Sequence, residues 1–157
     1  MNRAVLDDGV SGIIRSRTIA ASPQAIWDVL ADFGSLSSWA DDVDHSCILR
    51  HGPDGPLGTT RRVQVGRNTF VERIIDFDPP VTLAYRIEGL PTRVRTAVNR
   101  WTLAAKASAT LVTLTSTVEV DAGPLSGAVE WMACRGLAGT SDRLLAGLAH
   151  RLEDTHV

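Results

Sequence analysis

A single carboxylate set among apolar residues is the feature of this chain best suited to chemistry: Glu72, in the run TFVERIID at residues 69–76. In apolar surroundings a carboxyl group can act as general base or general acid. It can take a proton from carbon beside a carbonyl while a nearby donor steadies the oxygen that becomes negative. Arg61, Tyr85, Arg95 and Asn99 are the groups that could stand beside it. A lone buried carboxylate is costly, so if Glu72 turns inward it needs Arg61, Arg95, Tyr85 or a proton. The plainer outcome is a satisfied, inert ion pair between Glu72 and Arg61 on neighbouring strands, and at this level both outcomes stay open.

Other chemistries find less support. His45, His51, His150 and His156 are dispersed and form no HExxH or other close ligand cluster, so no metal is expected. No G-x-S-x-G elbow and no Walker or dinucleotide-binding glycine spacing occurs, and Gly52, Gly55 and Gly58 read as hairpin turn residues, so no cofactor is expected. Lysine and arginine number 16 against 18 acidic residues, a formal charge of 16 − 18 = −2, which offers no general attraction for phosphate backbones. Aromatic residues make up only 5%, too few for a base-stacking platform, and Arg93, Arg95 and Arg100 read as ordinary strand polarity. Nucleic acid is not expected as a partner. No run approaches the ~20 apolar residues that span a bilayer, and the first dozen residues lack a secretory pattern, so a cytoplasmic protein is expected. Cys47 and Cys134 are expected to be packed free thiols.

The elements that must position these residues can be read from periodicity. Residues 12–20 alternate partly between apolar and polar and form a first strand. A helix follows, with Ser22 as N-cap, Pro23 at the first helical position, and Ile26, Val29, Leu30 and Phe33 at helical spacing; Gly34 is expected to stop it in a left-handed conformation. From Val43 to Val120 the period is two, and turn chemistry divides the stretch into six strands near 43–50, 59–65, 69–77, 81–88, 94–104 and 110–120. Short connections predict antiparallel pairing of sequential neighbours. A last helix runs from Gly123 and Pro124 to about Leu152, with small residues at 133, 136, 139 and 140 that imply either close backbone packing or space beneath the helix. A length of 157 residues suits one domain spanning 1–157, with residues 1–10 as a loose tail.

Particular residues in this order resemble a known family. They are SP-x-x-I-W at Ser22, Pro23, Ile26 and Trp27, and F-x-x-L-x-x-W at Phe33, Leu36 and Trp39. G-x-x-R at Gly58 and Arg61, E-R-I at 72–74, and D-P-P at 78–80 with Tyr85 beyond follow. Together with the long last helix they resemble the START-like, helix-grip superfamily known as SRPBCC, in its polyketide cyclase/dehydrase-like branch. The resemblance implies an α+β helix-grip fold: a curved seven-stranded antiparallel sheet wrapped around a long C-terminal helix, with short helices between strands one and two and an apolar cavity between sheet and last helix. It also places Leu36 in a second helical turn and Trp39 at the mouth of the grip, as plug or as wall.

The family's register, combined with strand alternation, assigns the inward faces. It turns inward Arg61, Val63 and Val65; Phe70, Glu72 and Ile74; Leu83, Tyr85 and Ile87; Arg95, Ala97, Asn99, Trp101 and Leu103; and Val112, Leu114, Ser116 and Val118. The expected ligand-binding set is Trp39, Arg61, Phe70, Glu72, Tyr85, Arg95, Asn99, Trp101, Ser116 and Met132, with Glu72 as candidate catalytic residue. Arg95, standing where cyclase-like relatives would carry an aromatic residue, hints at a ligand with an acidic or carbonyl group. The leading expectation is binding of a small, mostly hydrophobic molecule of lipid, polyketide or aromatic type. One alternative is a cyclase/dehydrase-like enzyme using Glu72; the other is an interaction protein with a filled cavity, for which Trp131 is the place to look. A homodimer would be unsurprising in this superfamily.

Overall fold

Along Ala109–Val120 alternate residues are buried, giving a strand with one face in the core and the other toward solvent. The computed structural model describes residues 3–6, 10–91, 93–121 and 126–154, with side chains described for 10–91, 93–121 and 139–154. Its strands are β1 (Arg3–Leu6), β2 (Val10–Ile19), β3 (His45–Gly52), β4 (Gly55–Val65), β5 (Asn68–Asp78), β6 (Thr82–Glu88), β7 (Val94–Lys106) and β8 (Ala109–Val120). They form one sheet in the order β1-β2-β8-β7-β6-β5-β4-β3, antiparallel throughout. The seven strands expected from periodicity are β2 to β8. The loose tail expected over residues 1–10 is corrected in part: Arg3–Leu6 pairs antiparallel with β2, covering an edge that would otherwise present unpaired backbone groups.

Between β2 and β3 the chain forms α1 (Pro23–Ala31) and a 3-10 stretch (Phe33–Ser38). The Ser22 hydroxyl accepts the Ala25 N–H at 3.1 Å and Pro23 opens the helix, as capping chemistry requires. The expected left-handed stop at Gly34 is not found. The helix ends at Ala31, and Gly34 sits inside the 3-10 stretch without a positive φ. A Cβ there would lie 2.9 Å from Cγ1 of Ile48, so the glycine admits β3 against this segment.

The last helix, α2 (Ser126–Glu153), lies across β2 and β8 and also touches α1, completing an α+β helix-grip architecture. Leu145, Leu148 and Leu152 enter the main core with Ile26, Leu30, Phe33, Trp39, Trp101 and Leu114. The small residues at 133 and 136 lie outside the described side chains, and a Cβ at Gly139 would make only an ordinary 3.5 Å contact with Arg143. The close approach comes further along, at Gly147, where a Cβ would collide with the carbonyl oxygen of Trp39. A second, smaller apolar cluster gathers Ala97, Val118 and Val120 with Ile87, Leu90 and Val94. Cys47 is exposed rather than packed, and Cys134 lies outside the described side chains. Among the described residues no helix is long and apolar enough to cross a membrane.

Candidate functional site

Bulges in the β3–β4, β5–β6 and β7–β8 ladders bend the strands. Between the sheet's inner face, the segment after α1, and α2 a cavity of about 570 Å³ remains. It reaches both apolar clusters, being lined by Val63 and Tyr85 of the first and by Ile87 and Leu90 beside the second. Val65, Phe70, Leu36, Val43 and Leu144 complete an apolar wall. Asp42 and Arg143, both lining residues and both well exposed, form an ion pair at its margin.

Two polar assemblies meet this wall. In the first, Arg61 and Glu72 face each other across the β4–β5 ladder, only 3% and 7% exposed. Arg61 Nε donates to Glu72 Oε2 at 2.6 Å, and Nη2 reaches the same oxygen. Nη1 donates to the Phe33 carbonyl at 2.9 Å, and the guanidinium carbon lies 3.8 Å from the Phe33 ring centre and 4.7 Å from that of Tyr85. The cation is thus held by a carboxylate, a backbone carbonyl and two aromatic rings, and it ties the 3-10 stretch to the sheet. Glu72 lines the cavity, and among the described residues none donates to its Oε1.

In the second, the Tyr85 hydroxyl accepts N–H groups from Asn99 and Trp101, each at 3.4 Å. Asn99 Oδ1 in turn accepts from the Ser116 hydroxyl at 2.6 Å, and Ser116 lies 3.3 Å from the Ser141 hydroxyl on α2. Burial raises the Tyr85 hydroxyl above its ordinary pKa and the Glu72 carboxylate adds to the rise, while Arg61 and the two N–H donors oppose it. The site holds its phenol protonated. Among the described residues no three His, Cys, Asp or Glu side chains gather as a metal site would need.

Residues 13–153 match the model of a family described as polyketide cyclase / dehydrase and lipid transport. The chain belongs to that family. Solved structures agree with the fold of this polyketide cyclase / dehydrase and lipid transport member. A START superfamily protein from Mycobacterium smegmatis is 19% identical with a TM-score of 0.73, covering 92% of this chain and 98% of its own. The Zhui aromatase/cyclase from Streptomyces sp. R1128 is 22% identical with a TM-score of 0.75, covering 92% and 94%. The di-domain ARO/CYC StfQ from the steffimycin biosynthetic pathway is 11% identical with a TM-score of 0.78, covering 94% of this chain and 52% of its own. No curated protein sequence matches.

Of the residues expected to bind, this family member brings Phe70, Glu72, Tyr85 and Asn99 to the cavity wall. Arg61 and Ser116 lie immediately behind Glu72 and Asn99 as their partners. Trp39 is a plug: it is buried and meets Trp101 edge-on with ring centres 6.1 Å apart, and neither ring lines the hollow. Arg95 is corrected. The β7–β8 register shifts between Val94 and Thr96, and the Arg95 side chain is 64% exposed and paired with Asp121 at 2.6 Å and Glu119 at 3.6 Å. With Arg95 outside, its hint of an acidic or carbonyl group on the ligand lapses. Met132 and Trp131 lie outside the described side chains. The strand pattern missed Val43, Asp42, Arg143 and Leu144, which line the hollow from the loop and helix, and Ser141 behind it. Leu144 carries a sequence signal in its helical spacing, whereas the loop residues carry none.

Proposed function

We propose that this protein binds a small, mostly apolar molecule in the hollow between the sheet and α2. The observation that carries the reading is the cavity itself: about 570 Å³, in the range of small-molecule sites, with an apolar wall and a few convergent polar groups. Membership of a family described by cyclase, dehydrase and lipid transport roles supports it. The hollow supports this reading over the interaction-protein alternative, which calls for an interior filled by the chain's own side chains. Native mass spectrometry with an added fused-ring hydrocarbon tests the proposal. One molecule held per chain, released on denaturation, is the expected result; no adduct with any apolar probe of fitting size would reject it.

A second reading, a cyclase/dehydrase-like enzyme, is favoured by one pairing: a carboxylate with an uncommitted oxygen and a phenol bordering the same hollow. Glu72 would take a proton from carbon beside a carbonyl while a hydrogen bond holds the oxygen. Glu72→Gln is a poor test because it strands the buried Arg61 charge. Deuterium exchange into the α-carbon of an added aryl ketone, catalysed by the wild-type protein, is the direct one. Exchange no faster than in buffer would remove this reading.

A further inference from the structure

We propose that Tyr85 offers its hydroxyl proton, and not its lone pairs, to whatever fills the hollow, so that the site selects apolar molecules bearing a carbonyl oxygen. This rests on the reading of the hollow as a ligand site. A tyrosine hydroxyl has one proton to give and two lone pairs to receive. Trp101 Nε1 can only donate, so its 3.4 Å contact takes one lone pair of Tyr85. Asn99 Nδ2 takes the other, also at 3.4 Å.

The orientation of that amide is supported from behind. Ser116 donates its single proton to Asn99 Oδ1 at 2.6 Å, which leaves Ser141, 3.3 Å away, to donate to Ser116. The chain therefore runs in one direction, from Ser141 on α2 through Ser116 and Asn99 to the phenol oxygen. Tyr85 and Asn99, which meet at that oxygen, both line the hollow. Among the described residues none accepts the phenol proton, and a buried donor without a partner is costly. A carbonyl oxygen in the hollow satisfies it, whereas a hydrocarbon leaves it bare. Burial keeps the group protonated and able to donate.

The test compares two probes of nearly equal shape, 2-acetylnaphthalene and 2-isopropenylnaphthalene, in which C=O is replaced by C=CH2. Calorimetry gives the affinity of each for the wild type and for Tyr85→Phe, and infrared spectroscopy gives the carbonyl stretch of the bound ketone. The ratio of ketone to alkene affinity should fall roughly tenfold on Tyr85→Phe. In the wild type the stretch should lie below its value in hexane. An unchanged ratio, or a wild-type stretch equal to that in hexane, overturns the assignment even though both probes bind. The infrared measurement needs only the wild type, so it decides if the variant fails to fold. If neither probe binds, the ligand-site reading falls and takes this one with it.

Discussion

Arg61 and Glu72 set the electrostatics of the interior at the scale of single residues. Because each is the other's charge partner away from water, removing either leaves an uncompensated charge, whereas an apolar pair of similar volume does not. Arg61→Met and Glu72→Leu made singly should each cost ~3–5 kcal/mol in denaturant melts, and the double variant should recover most of that loss. Tyr85 gives a second handle, since it is the chain's one tyrosine and its ionisation can be followed by ultraviolet absorbance without overlap from others. Its folded pKa lies above the ordinary 10.0, so the stability it contributes as a neutral phenol is complete below that pH and is lost as pH rises through the folded value. The tyrosinate signal should appear at higher pH than in the urea-unfolded chain; coincident titrations would refute the buried placement. Arg61, Glu72, Tyr85 and Asn99 were legible because alternation carries the same face along a strand. Arg95 was not, because the bulge beside it changes the parity on which the reading depends.

Among the elements, α2 and the segment after α1 are locked by backbone contact. Gly147 lets the helix rest on the Trp39 carbonyl. In an isolated helix alanine would be better there by up to ~1 kcal/mol, but here its methyl collides with a peptide group that cannot swing away. Gly147→Ala should therefore destabilise, by about 1–3 kcal/mol as overpacked sites do, visible as a lower melting temperature. A rise in melting temperature would show that the helix is not seated on Trp39. Elements were readable from sequence wherever period or capping marks them, as at Ser22 and along β8. Contacts between elements were not: Gly34 reads as a helix stop until Ile48 is seen against it, and Trp39 reads equally as plug or wall until Trp101 is found beneath it.

For the whole molecule the consequence of this packing is an interior that stops short of closing. The main core fills the end where α1, Trp39 and the later turns of α2 meet the sheet, the small cluster fills the other, and the hollow lies between them. Family and fold were legible because motif order and strand count survive where identity does not, as the 11–22% identity to structures of the same shape illustrates. The occupant was not legible, since it depends on loop and helix residues brought together only by folding. The central claim is that this space is available to a guest. Calorimetric titration of 2-isopropenylnaphthalene into the wild type and into Ile87→Trp, which places an indole in the hollow from the half-buried face of β6, tests it directly. Binding by the wild type and at least roughly tenfold weaker binding by a variant of unreduced melting temperature is the predicted result. Equal binding by the two proteins would contradict the account.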